Sequence, residues 1–207
     1  GLVSHRRLSN GDDKPYELNI SWWSAMEDSS RDANRFQFER FILTQLLVMA
    51  LKGVPAFYLP ALLASENDIK NFSMTGQRRD LNREKFKIDD LLSVLNNSGS
   101  NANRNLKYLR NAMDVRSQLE QFHPRSEMKC LSRGRSDIVV IKRSKGRGSI
   151  FTIHNMTGNK INYQLNDNDL PKLIDNDLNT RDFLTSNKYN WKNISLDPFQ
   201  VIWLGAL

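Results

Sequence analysis

Apolar residues are unevenly spread along this chain. The first half carries them at helical spacing and the second half in short runs broken by Gly, Asn, Asp and Ser. "DSSRDANRFQFERFILTQLLVMALKG" predicts a helix, with Ser or Asp near positions 28–32 as cap and Gly53 as stop. Its apolar residues Phe36, Phe38, Phe41, Ile42, Leu46, Leu47, Met49 and Ala50 thicken toward the C-terminal half, which predicts burial on several sides there. "VPAFYLPALLA" is a compact apolar run and predicts a strand buried on both faces. A second helix is predicted from about Lys87 to Leu95, followed by an Asn/Ser/Gly turn, "NNSGSNANRN". "LKYLRNAMDVRSQLEQFHP" then predicts an amphipathic helix ended by Pro124.

The texture changes near Ser126. "SEMKCLS", "DIVVIKRS", "GSIFTIHNMT", "KINYQL" and "FQVIWLGAL" are β-prone and separated by turn residues, as expected of an antiparallel sheet. Before the first helix, "YELNISWWSAM" follows Pro15 and predicts a short extended segment, while "SHRRLSNGDDKP" predicts a loop. The order of helix, turn, buried strand, polar loop and helix is that of repeated β/α construction. The expected fold class is therefore α/β plus all-β.

Length and charge narrow the picture further. A chain of 207 residues buries a substantial core as one or two domains. Its 39% hydrophobic and 26% charged content is that of an ordinary globular protein. The longest apolar run, Phe41 to Leu51, is shorter than the roughly 20 residues of a membrane span, so no membrane partner is expected. A single cysteine, Cys130, excludes an intrachain disulfide and fits a reducing compartment, so a cytoplasmic location is expected. His5, His123 and His154 are scattered and make no metal-ligand spacing with it, so neither metal nor cofactor is expected. The N-terminus is polar, loop-like and without an initiator methionine, as in a chain cut from something longer.

The net charge of +7 favours anionic partners. Eight basic residues fall between Arg125 and Arg147, but no aromatic is interleaved for base stacking. A solvated β-hairpin is the simpler expectation there, and nucleic acid is not expected as a partner. His154, in "FTIHN", is expected to be structural. The other charge cluster is "TGQRRDLNREKF", which follows the apolar run at once. It reads either as a solvated helix start or as a binding loop after a barrel strand.

Three segments in order, "PYELNISWWSAM", "FERFILTQLLVMALKGVPAFYLPALLASEND" and "RRDLNRE", resemble the last part of the sucrose phosphorylase-type branch of the α-amylase superfamily, which includes sucrose and glucosylglycerate phosphorylases. The resemblance is specific from about Lys14 to Phe86, weaker through the next helix and architectural in the sheet. It implies the last β/α units of a (β/α)8 TIM barrel over residues 1–125, with an acceptor loop at 1–19, and a C-terminal antiparallel β-domain over 126–207. It further implies reversible, retaining α-glucosyl transfer between a sugar-type acceptor and phosphate, chemistry that takes a carboxylate nucleophile and a second carboxyl as acid and base. The expected partners are thus a small sugar or glucoside and inorganic phosphate.

In the family those carboxylates lie upstream of the matched segments. Substitutes within this chain are Asp12 and Asp13 in the first loop, Asp89 and Asp90 beside a helix, and Asp167 and Asp169 in an Asn-rich turn; none pairs with a Glu at a strand end. No catalytic residue is therefore assigned, and the chain alone is expected to be inactive. Arg79 matches the family arginine that contacts the bound glucosyl unit; Asp80 either orients it or caps the following helix. Tyr16 and Glu17 match an aromatic-polar pair lining the acceptor loop, with Glu17 standing where sucrose phosphorylases carry glutamine. His5, Arg6, Arg7 and Lys14 make that side basic, which suits an anionic acceptor such as glycerate or a sugar phosphate better than fructose. Each of these residues also reads as an ordinary solvated charge. An α-glucoside hydrolase or transglucosidase of the same superfamily, or a non-catalytic carbohydrate- or nucleic-acid-binding module, are the alternatives.

Overall fold

Apolar periodicity builds a mixed structure of helices and antiparallel sheets, which a computed structural model describes for residues 1–28, 35–166, 168, 170 and 180–205. Most of the anticipated N-terminal cap of the first helix, and Asp167 and Asp169, lie outside the described residues. The chain divides into two compact units, one of residues 1–37 and 57–108, the other of 38–56 and 109–207.

The first unit opens with a hairpin of β1 (Leu2–Arg7) and β2 (Asp13–Asn19), paired from Leu2 opposite Asn19 to Arg7 opposite Asp13, with a bulge between Ser4 and His5. The expected opening loop is therefore a two-stranded ribbon. Its polar sequence hides the strands, because little of either face is buried. The turn between them is closed by Leu8 N donating to Asp12 O and Gly11 N to Leu8 O, with Gly11 at φ +91°.

The apolar run from Val54 does not form the expected buried strand. Residues 54–58 have no ladder partner among the described residues, and their exposure alternates, with Val54 81% and Tyr58 56% exposed. From Leu59 the chain turns into the short helix α2 (Leu59–Leu62), whose first turn holds Pro60, a residue preset for that position and unable to donate to a ladder. Helix α3 (Ile69–Thr75) starts where the Asp68 carboxylate accepts from Asn71 N (2.9 Å) and stops at Gly76, φ +66°, whose N–H returns to Phe72 O. Helix α4 (Ile88–Asn96) falls where expected. The Asn-rich turn is shorter than predicted, because the long helix α5 (Asn101–Gln118) already begins within it. Asn105, fully buried, donates to Ala61 O and Leu62 O and so satisfies the end of α2.

The second unit contains most of α1 (Gln37–Ala50), whose Phe41, Leu46, Met49 and Ala50 are fully buried, as the thickening apolar pattern predicts. Its six-stranded antiparallel sheet runs in the order β3 (Glu127–Cys130), β4 (Ile138–Lys145), β5 (Gly148–Asn155), β10 (Val201–Gly205), β7 (Thr180–Asp182), β8 (Lys188–Tyr189). A separate ribbon pairs β6 (Ile161–Tyr163) with β9 (Ile194–Leu196). One sheet face contributes Ile138, Val140, Phe151, Ile153, Ile202 and Leu204 to a core with Leu165, Trp191, Ile194 and Leu196. Register puts Ile141, Arg143, Thr152, His154, Val201 and Trp203 on the other face, and all of them are buried as well. Burial on both sides explains why β10, VIWLG, reads as a near-continuous apolar run.

Arg143 corrects the expectation of a solvated basic hairpin between Arg125 and Arg147. It has no exposed surface and donates to Ala50 O (3.0 Å), Leu51 O (2.8 Å), His123 O (3.0 Å) and Glu127 O (3.3 Å). Arg116 donates to Met49 O, Gly53 O and Phe122 O, and both guanidiniums lie within 6 Å of the Phe122 ring. Two cations thus take up carbonyls at the C-terminus of α1, where the helix dipole is negative. Burial lowers both pKa values, that of Arg143 further through the charge of Arg116. His154 is structural, as expected: it is fully buried, neither ring nitrogen has a hydrogen-bond partner among the described residues, and burial holds its pKa at about 3.

Candidate functional site

After Gly76 reverses the chain, Arg78–Asn82 forms a single 3-10 turn. Leu81 anchors it, 2% exposed, and Asp68 N donates to Leu81 O (2.7 Å). The same region is tied to the segment after β2: Ser21 N donates to the Asn67 side chain (2.7 Å) and Asn67 N to Ser24 Oγ (3.1 Å). The turn and the hairpin are therefore held by backbone contacts and by a buried leucine as well as by their charged side chains.

On this frame the two arginines face the hairpin. Arg78 Nη1 donates to Val3 O on β1 at 2.7 Å. Arg79 Nε lies 3.2 and 3.3 Å from the two carboxylate oxygens of Glu17 on β2. Tyr16 acts on the same guanidinium; the Glu17 hydrogen bond first, its charge second and Tyr16 after them raise the Arg79 pKa. Arg79 remains 54% exposed and Glu17 30% exposed, so the pair stands open to solvent.

Of the residues expected from sequence, the structure brings together Arg79, Glu17 and Tyr16. Asp80 lies beside Arg79 in the 3-10 turn. Its carboxylate has no hydrogen bond or ion pair among the described residues, and the next helix, α4, starts after Lys87, eight positions downstream of Arg79. Glu17 is the carboxylate that meets Arg79, a contact between residues 62 apart that sequence signals only through opposite charges. His5, Arg6, Arg7 and Lys14 lie on the tip half of the hairpin, Arg6 opposite Lys14 and Arg7 opposite Asp13, all exposed. Three residues of strand put Lys14 about 10 Å from Glu17, so the basic tip and the Arg79 pair are separate features of one ribbon.

Elsewhere in the first unit an open groove of about 790 Å³ runs between the start of α3 and α4, lined among others by Asp68, Lys70, Glu84, Lys87 and Asp90. It contains none of Arg79, Asp80, Tyr16 and Glu17, and its charges are mixed in sign. Among the described residues no three His, Cys, Asp or Glu side chains are grouped to hold a metal ion, and no helix is long and apolar enough to cross a membrane.

No model of a known protein family matches the chain. It is similar to glucosylglycerate phosphorylase of Escherichia coli (strain K12), 26% identical over 205 residues that cover 98% of this chain and 34% of that enzyme. Sucrose phosphorylase of Streptococcus mutans serotype c is 22% identical over 157 residues, 74% of this chain and 29% of that enzyme. Among solved structures, trehalose-6-phosphate hydrolase of Bacillus licheniformis superposes with a TM-score of 0.60 at 14% identity, over 91% of this chain and 41% of that one, a likeness of fold alone. The chain spans about a third of the length of the curated relatives it matches. The resemblance seen in three motifs thus runs along nearly the whole sequence: its relatives are glucosylglycerate and sucrose phosphorylases, and its fold neighbours are α-amylase-type enzymes.

Proposed function

We propose that this chain is the C-terminal portion of a retaining α-glucosyl-transferring phosphorylase. Residues 1–125 supply the last β/α units of its barrel, and residues 126–207 an appended β-domain. The observation that carries the reading is the alignment with glucosylglycerate phosphorylase over 205 residues. The stretch 54–58 supports it, because an apolar segment with no ladder partner among the described residues suits a barrel strand whose neighbours belong to another part of the enzyme. The chemistry is phosphorolysis: phosphate takes the glucosyl group with retention, giving glucose 1-phosphate, and the acceptor leaves with a proton. The nucleophile and the acid-base carboxyl belong to the part of the enzyme that this chain does not contain.

Within this portion, Arg79 donates to hydroxyls of the bound glucosyl unit and Asp80 shapes the turn beside it. The hairpin over residues 1–19 closes the acceptor side. His5, Arg6, Arg7 and Lys14 at its tip favour an anionic acceptor, and glycerate is the one we choose over fructose. The test is to incubate the whole protein carrying this chain with glucose 1-phosphate and either glycerate or fructose. Phosphate release that requires glycerate is the expected result. Release with fructose alone would replace the acceptor, and free glucose formed without any acceptor would replace phosphorolysis with hydrolysis.

A further inference from the structure

An exposed arginine with no counter-charge collects phosphate and carboxylate, since its planar fork matches their oxygens. In an enzyme that consumes phosphate, such an arginine in the sugar pocket would be occupied by the wrong substrate. Arg79 is exposed, yet it is not without a counter-charge. Both close contacts with Glu17 are made through Nε, at 3.2 and 3.3 Å, so Glu17 does not take up the two Nη groups, on whose guanidinium Tyr16 also acts. The backbone of Glu17 is set by the β1–β2 ladder. It sits in β2 directly opposite Ser4, whose hydroxyl accepts from Asn19 at 2.8 Å, and Arg78 independently binds the turn to Val3. The exposed cations Arg6, Arg7 and Lys14 lie at the other end of the ribbon with no ion pair among the described residues.

We propose that Glu17 determines the class of ligand that Arg79 accepts: its carboxylate, carried on β2, offsets the guanidinium charge, so that the Nη groups serve uncharged sugar hydroxyls and free phosphate is excluded. Anions are left to the basic tip, and the hairpin sorts two substrates by charge along its length. The inference deepens the reading of Arg79 as a sugar contact and rests on it.

The test is a titration of the whole protein carrying this chain with inorganic phosphate at low ionic strength, where exposed charges are least screened, followed through the Nε–H resonance of Arg79. Glu17→Gln keeps the shape of the side chain and removes its charge. It is expected to bind phosphate at Arg79 about fivefold more tightly than the parent, the effect of one unit charge at about 4 Å in water. Adding Arg79→Gln should abolish the gain, and Asp89→Asn, which removes a charge elsewhere in the same unit, should leave affinity within about twofold. An unchanged affinity in Glu17→Gln, a gain that survives Arg79→Gln, or an equal gain in Asp89→Asn would each overturn the proposal. A gain at Arg79 without phosphorylase activity in the whole protein would retire the phosphorylase reading alone, and activity without the gain would retire this inference alone.

Discussion

Arg79 and Arg143 carry the same guanidinium and do opposite work, and only their surroundings separate them. Arg79 is half exposed and holds one carboxylate; Arg143 is fully buried and holds four carbonyls. An exposed pair contributes little to stability, because water screens its charges. Arg79→Ala in the complete enzyme is therefore expected to leave the melting temperature nearly unchanged. It should lower kcat/KM by roughly 10- to 100-fold, the worth of a charge-assisted hydrogen bond to substrate. Melting and steady-state rates on the same preparation check both halves. Arg143→Met should do the reverse, costing about 3 kcal/mol or more by leaving buried carbonyls at the end of α1 without donors. Denaturant unfolding of the 207-residue chain reads it. Sequence did not distinguish these arginines, because both sit in basic, locally polar stretches. The difference comes from contacts with residues 62 to 93 positions away.

At the scale of elements, sequence is most informative where burial is one-sided or complete and local. Helices α4 and α5 and strands β4, β5 and β10 overlap the segments predicted for them, α5 starting earlier, since their side-chain period or apolar content is the imprint of what they bury. The stretch 54–58 fails for a physical reason: apolar content measures a segment's demand for cover, not the presence of a neighbouring strand. The β1–β2 ribbon fails for the converse reason, since polar residues form a ladder with little apolar signal. Between these elements, Gly76 fixes how the Arg78–Asn82 turn leaves α3. An added Cβ would meet nothing within 4 Å, so Gly76→Ala is a test of backbone alone at φ +66°. It should cost about 1 kcal/mol. Gly76→Asn should recover part of that loss, as read by equilibrium unfolding.

For the molecule as a whole, acid is the revealing variable. His154 is neutral in the fold, with its pKa held at about 3, whereas an unfolded imidazole titrates near 6.5. The unfolded chain therefore binds the extra proton first. Stability from this residue is complete above pH 6.5 and is lost as pH falls from there toward 3, at a slope approaching about 1.4 kcal/mol per pH unit. Between pH 7 and pH 5 the parent is expected to lose about 2 kcal/mol more than a His154→Leu variant. That variant keeps buried Asp182, whose carboxyl burial pushes upward, so the difference isolates the imidazole. Equal pH profiles for the two proteins would contradict the burial of a neutral ring.

The position of β10 in its sheet has a consequence for how the protein is made. It lies between β5 and β7, and Val201 comes 46 positions after Asn155, the last residue of β5. During translation at about 5–20 residues per second, the completed edge of β5 stays bare for roughly 2 to 9 s before its neighbour exists. That edge belongs to a strand whose Phe151 and Ile153 are meant for the core, so for those seconds the ribosome presents an apolar strand edge open to any other chain. Slower codons between β5 and β10 would lengthen this interval, and the yield of correctly folded protein should fall with it.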